Sequence, residues 1–88
     1  MGKWQTIDVT GVASALFTIS SDHEARKHHS LQTRGRWELV GREIQITWTD
    51  GWSDVFRIEN GMVYKIALER GKTWKDPPTN VEAAERLP

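Results

Sequence analysis

The sequence predicts an all-β domain, an antiparallel up-and-down meander of six to eight short strands that forms a small or partly open barrel. Glycines recur ten residues apart, at positions 41, 51, 61 and 71, and alternating apolar and polar residues separate them. Alternation indicates strands with one buried face, and glycine marks the turns between them. Five tryptophans supply large side chains suited to a small core.

Length and charge narrow the functional classes. Eighty-eight residues suit a single domain, with the meander in 1–76 and a proline-containing tail with a short helix in 77–88. Twelve basic residues balance twelve acidic ones, which argues against nucleic-acid binding. The sequence contains no apolar run of membrane-spanning length and no signal segment, so we expect a cytoplasmic protein without membrane contact.

The first third of the chain predicts three strands, at residues 1–9, 13–20 and 24–29, followed by a connector at 30–34. A two-residue loop at Thr10-Gly11 would place Trp4 opposite Phe17, which is a favourable cross-strand aromatic pair.

The register of the central strands follows from keeping the large apolar side chains on one face. Gly41-Arg42 fits a two-residue turn with glycine first. Residues 49–51 fit a three-residue loop in which Gly51 takes the left-handed conformation of a bulge. The pairs expected from these turns are Trp37 with Ile46, Leu39 with Ile44, Ile44 with Phe56, and Trp48 with Trp52.

The same three-residue loop can be applied to residues 59–61 and 69–71. It would set Phe56 opposite Tyr64, Trp52 opposite Leu68, and Ile66 opposite Trp74. A slip of one residue would turn every one of these side chains to the other face.

This register places one carboxylate, that of Asp54, on the apolar face between Ile46 and Ile66. A buried carboxylate needs a partner. Asp54 could accept a hydrogen bond from an indole N–H or an arginine, or it could anchor a ligand. The candidate ligand-binding residues are Trp48, Trp52 and Asp54, with Trp37 and Tyr64 as walls.

Other sequence patterns give weaker evidence for a functional site. His23, His28 and His29 are weak candidates for metal ligands, but their spacing places no two of them one helical turn apart, and we predict no metal and no cofactor. The segment 34–37, with two arginines and a tryptophan, is compatible with an RNA contact, which the neutral net charge disfavours. No catalytic triad or glycine-rich phosphate loop is present, so we do not expect an enzyme.

The opening Gly2-Lys3-Trp4 resembles the G-x-W motif of lipocalin-like (calycin) barrels. The GRW element at 35–37 and the W-x-x-G-W element at 48–52 are similar to small bacterial lipocalin-like domains. The resemblance implies a binding or accessory role and carries over no catalytic residue. The short strands imply a smaller barrel than that of full-length lipocalins.

Two functions fit these observations. The first is a binding module with a Trp-rich site for a small apolar or carbohydrate-like ligand or a protein partner. The second is a structural, self-associating protein whose tryptophans all belong to the core. An apolar-faced sheet must be covered either by closure into a barrel or by a second copy, so a homodimer is compatible with both.

Overall fold

The computed structural model describes residues 2–7, 10–28 and 32–87 and shows a closed antiparallel barrel. Each strand pairs with the next along the chain, and the last pairs with the first. None of the described segments forms a helix capable of crossing a membrane. The strands are β1 (Gly2–Ile7), β2 (Ala13–Ile19), β3 (Glu24–His28), β4 (Gln32–Val40), β5 (Glu43–Trp48), β6 (Ser53–Glu59), β7 (Met62–Leu68) and β8 (Asn80–Leu87).

The predicted fold class is confirmed, as are several of the predicted strand pairs. The confirmed pairs are Trp4 with Phe17, Trp37 with Ile46, Leu39 with Ile44, and Ile44 with Phe56. Gly51 has the positive φ of 92° expected of its loop, and the Trp48 N–H donates to the Trp52 carbonyl across it, at 2.9 Å. The predicted strand residues Met1, Val9 and His29 lie outside the described ranges.

The N-terminal hairpin departs from a simple two-residue loop. The register shifts between Thr6 and Ile7, so that Ile7 pairs with Ala13 instead of Ser14. Ser14 lies at the register shift, and its hydroxyl oxygen is 2.8 Å from that of Thr6. The predicted connector at 30–34 was also wrong in part, because β4 already begins at Gln32.

The predicted C-terminal helix was wrong, because residues 80–87 form strand β8. This strand pairs with β7 on one side and with β1 on the other. A helix of six residues is marginal in water and would leave the edges of β1 and β7 unpaired. As a strand the segment completes both ladders and buries Ala84 inside the barrel.

The register predicted between β6 and β7 was wrong by one residue. Asn60 and Gly61 form a two-residue turn with φ of 52° and 78°, the positive values of a type I′ hairpin that Asn-Gly favours. Phe56 therefore pairs with Lys65, and Arg57 pairs with Tyr64. Lys65 consequently points into the barrel, and Tyr64 faces outward.

The third predicted bulge loop, at 69–71, was also wrong. Residues 69–79 form a long connection in which Trp74 is 43% exposed. Val55 and Leu68 face outward from their strands but are buried, because this connection covers them. Trp74 and Pro78 border the same outer groove as Val55 and Leu68.

Aromatic side chains fill the closed part of the barrel. The Phe17 ring lies 5.4 Å from that of Phe56, edge to face, and 5.9 Å from that of Trp48. Gly35 makes room for the Trp48 indole, because a Cβ at that position would lie 2.5 Å from Trp48 Cε3 and 2.7 Å from the Thr47 carbonyl oxygen. The Trp48 indole can therefore occupy this position only because residue 35 has no side chain.

Gly35→Ala should lower the free energy of unfolding by about 2 kcal/mol or more, since added volume in a packed core forces its neighbours to move. Urea denaturation monitored by tryptophan fluorescence measures the loss.

Gly61→Ala is the matched control. Its added methyl group meets open space, so the change should cost about 1 kcal/mol through backbone conformation alone. A cost for Gly35→Ala no larger than that for Gly61→Ala would contradict the steric explanation.

Candidate ligand-binding site

One end of the barrel is open and polar, and we call the cavity there the mouth. It lies at the end that carries the β1–β2, β3–β4, β5–β6 and β7–β8 connections, and its volume is about 390 Å³. Its lining mixes charged groups with two aromatic rings. The described lining residues are Ser14, Ala15, Phe17, Lys27, Asp50, Trp52, Asp54, Lys65, Ala67, Asn80 and Glu82.

Asp54 forms the floor of the mouth. The residue is 3% exposed, and its Oδ2 accepts a hydrogen bond of 2.7 Å from the Trp48 indole N–H. Burial raises the pKa of Asp54 above its ordinary value, and the Lys65 ammonium and the Trp48 hydrogen bond oppose this effect. The predicted need of Asp54 for a partner is therefore confirmed, and of the two structural partners considered, an indole N–H or an arginine, it is the indole that bonds to it.

Lys65 lies between two carboxylates inside the barrel. Its Nζ is 3.3 Å from Glu82 Oε1 and 3.9 Å from Asp54 Oδ1. The Ser14 hydroxyl donates to Glu82 Oε2 at 2.8 Å and lies 2.8 Å from the hydroxyl of Thr6. Polar groups from β1, β2, β6, β7 and β8 thus form one connected network under the mouth.

The rim is formed by Lys27 and the 49–52 segment. Lys27 Nζ lies 3.6 Å from Asp50 Oδ2 and 4.9 Å from the centre of the Trp48 ring, where a cation is attracted to the ring face. The backbone N–H of Trp52 donates to Asp50 Oδ1 at 2.9 Å, which holds the backbone of the rim at this half-buried residue. Arg70 holds the segment from outside by donating to the Asp50 carbonyl from Nη2, at 2.6 Å.

Of the five predicted ligand-binding residues, Trp52 and Asp54 line the mouth, and the buried Trp48 bonds to Asp54 without lining the mouth. The structure does not bring Trp37 or Tyr64 to the mouth. The Trp37 indole N–H donates to the Ser20 carbonyl at 2.7 Å, towards the opposite end of the barrel, and Tyr64 faces outward.

Four charged residues of the mouth were not among the predicted site residues, namely Lys27, Asp50, Lys65 and Glu82. The Asn60-Gly61 pair was the signal for Lys65, because a two-residue turn there places Lys65 on the same face as Asp54. The position of Glu82 at the mouth can be deduced only when residues 80–87 are recognised as a strand. Lys27 lies on the inner face of β3, where Ala25 is the one apolar residue, so the strand has no alternation of apolar and polar residues that would mark its inner face.

The weak metal candidates do not converge. His23 precedes β3 and His28 ends it, whereas His29 lies outside the described ranges. Within residues 2–7, 10–28 and 32–87, no group of three or more histidine, cysteine, aspartate or glutamate residues is arranged to hold a metal ion.

The chain matches no protein-family model, and neither a curated protein nor a solved structure matches it. The chemistry of the mouth is therefore inferred from its own side chains.

Asp54→Asn should change how stability depends on pH. The pKa of Asp54 is higher in the folded protein than in the unfolded chain, where the carboxyl has its ordinary pKa of 3.8. The wild-type free energy of unfolding therefore loses a contribution as the pH rises from 3.8 through the raised pKa, and the Asn variant lacks this loss. Urea denaturation at a series of pH values measures the difference between the two proteins.

Asp76→Asn is the control with the opposite sign. The Thr73 backbone N–H donates to Asp76 at 2.6 Å and lowers the pKa of this exposed carboxyl. Asp76 therefore contributes stability above pH 3.8 that is lost as the pH falls through its lowered pKa. Parallel pH profiles for the two variants would contradict the assignment of Asp54 as a carboxylate destabilised by burial.

Lys65→Met should destabilise the fold by about 3 kcal/mol or more, because it leaves Asp54 and Glu82 enclosed without a counter-charge. Lys27→Met removes an ion pair in which Asp50 is 40% exposed and should cost only about 0–1 kcal/mol. Equal losses in chemical denaturation would show that the enclosed Lys65 network does not stabilise the barrel.

Proposed function

We propose that this protein is a non-enzymatic, lipocalin-like binding module that holds a small carbohydrate-like ligand in the mouth. The observation that carries the proposal is the position of Trp52, an aromatic ring at a rim otherwise lined by charged and amide side chains. A sugar presents an apolar C–H face and a ring of hydroxyls, and this lining can contact both.

The polar groups suit hydroxyls, which both donate and accept hydrogen bonds. Asp50 and Glu82 offer acceptors, Lys27 offers donors, and the Asn80 amide offers both. A purely apolar ligand would remove water from these groups without replacing its hydrogen bonds, which is costly. The mouth therefore favours the carbohydrate-like ligand over the apolar one.

The size of the cavity also favours a small ligand. A volume of about 390 Å³ lies at the lower end of the range for small-molecule sites. Beneath Asp54 the barrel is filled by Phe17, Ile46 and Phe56, each at most 4% exposed. A long hydrocarbon chain would find no continuation of the cavity into the interior.

The lipocalin-like part of the proposal is supported by the first strand and by closure of the barrel. Gly2 and Trp4 lie on β1, and Trp4 packs edge to face on Phe56 with ring centres 5.9 Å apart. The position of Gly2 leaves room for the Arg86 side chain of β8, which would lie 3.2 Å from an added Cβ.

A structural, self-associating protein is the second candidate. Apolar side chains are exposed near the β4–β5 and β6–β7 turns, at the end opposite the mouth. The largest exposed fractions there are those of Leu39, at 66%, and Ile58, at 61%. Self-association through these apolar side chains would bury this end of the barrel. It would not require the mouth.

Trp52→Ala should weaken binding of a carbohydrate about tenfold or more, since aromatic stacking contributes about 1–3 kcal/mol where it has been measured on bases. A panel of neutral mono- and disaccharides, followed by intrinsic fluorescence and thermal shift, identifies a sugar that binds the wild type. Calorimetry with that sugar then compares the variants.

Trp74→Ala is the matched control, because Trp74 lies on the outer surface, and we expect its affinity to equal that of the wild type. If no sugar shifts the wild-type fluorescence or melting temperature, and sedimentation shows a dimer, the binding proposal fails in favour of self-association.

A further inference from the structure

A row of basic and hydroxyl side chains crosses the outer surface of the barrel. The strand register pairs Lys3 with Thr18, Thr18 with Arg26, and Arg26 with Arg34. Thr49 extends the row, because its N–H donates to the Arg34 carbonyl at 2.9 Å. The side chains of Lys3, Thr18, Arg26 and Arg34 lie on the outer face, since their neighbours along each strand point inward, and Thr49 is exposed in the turn that follows β5. We call these five residues the outer basic row.

The outer basic row contains three positively charged residues and no acidic residue. Arg26 and Arg34 lie directly opposite each other, a like-charge arrangement that destabilises a sheet. Neither arginine, nor Lys3, forms an ion pair with any residue in the ranges 2–7, 10–28 and 32–87. In the adjacent row, by contrast, Glu24 pairs in register with Arg36, so opposite charges face each other there.

An anion placed between Arg26 and Arg34 would remove this repulsion. Directly opposed residues hold their Cβ atoms about 4.5–5.5 Å apart, so one small anion can contact both guanidinium groups. Guanidinium groups match the paired oxygens of phosphate, and the hydroxyls of Thr18 and Thr49 on either side offer further donors. We propose that the outer basic row binds the terminal phosphate of a small phosphorylated ligand.

Charge distinguishes such a ligand from a nucleic acid. A terminal phosphate carries nearly two negative charges at neutral pH, which matches the two opposed arginines. A nucleic-acid backbone spreads single charges along its length and is bound by proteins with an extended positive surface. The chain as a whole has no net charge, and Glu24 and Glu38 interrupt the outer faces of β3 and β4 beyond the row.

The test is a titration with inorganic phosphate at about pH 7.5, where the dianion predominates, with chloride keeping the ionic strength constant. The arginine Nε–Hε signals of the ¹⁵N-labelled protein report binding. We expect saturating shifts at Arg26 and Arg34. Arg26→Gln and Arg34→Gln should each weaken phosphate binding at least about fivefold.

Arg42→Gln, in the β4–β5 turn, removes the same charge outside the row and should leave the phosphate affinity unchanged. Arg26→Gln should also raise the melting temperature in low salt without phosphate, because it relieves the repulsion. The melting temperature tests the repulsion between the two arginines independently of phosphate binding.

Four results would overturn the proposal. The first is a phosphate titration that does not saturate. The second is equal weakening by Arg42→Gln, and the third is a lower melting temperature for Arg26→Gln. A short single-stranded RNA that binds more tightly than phosphate through the same arginines would also overturn it, by assigning the row to nucleic acid.

Discussion

The ion pairs of Lys65 inside the barrel are the interaction on which the rest of the structure depends. Its ammonium group lies between Asp54 of β6 and Glu82 of β8, so three adjacent strands must be in one register for the charges to meet. A slip of one residue in β7 would move Lys65 outside and leave two carboxylates enclosed without a counter-charge. The network therefore favours one closed barrel over alternative pairings.

The same network divides the interior into two regions with different chemistry. Below Asp54, aromatic and aliphatic side chains exclude water, and this burial raises the pKa of the carboxyl. Above it, Glu82 and the rim residues Lys27 and Asp50 reach solvent through the mouth. Fixed charges next to a dry floor act more strongly than the same charges in water, so a ligand in the mouth would meet polar groups already held in place.

The long β7–β8 connection both covers apolar side chains on the outside of the barrel and holds the rim of the mouth. It covers Val55 and Leu68 on the outside of the barrel and supplies Arg70, which bonds to the Asp50 carbonyl. Asp50 in turn accepts a hydrogen bond from the backbone N–H of Trp52 and forms an ion pair with Lys27. The position of the rim therefore depends on a surface loop, whereas the floor depends on strand register.

The sequence by itself determined the all-β class, the pairing of Trp4 with Phe17 and of Trp37 with Ile46, and the need of Asp54 for a partner. These features follow from local turns and from the alternation of side chains. The tertiary structure decided the strand character of β8, whereas the register of β7 follows from the Asn60-Gly61 turn and not from the alternation of its side chains. Apolar residues occupy both faces of β7, with Val63 and Ala67 on one and Ile66 and Leu68 on the other, so alternation could not choose between them. Residues 80–87 became a strand because β7 and β1 both offered unpaired edges, a condition that exists only once the other strands have assembled.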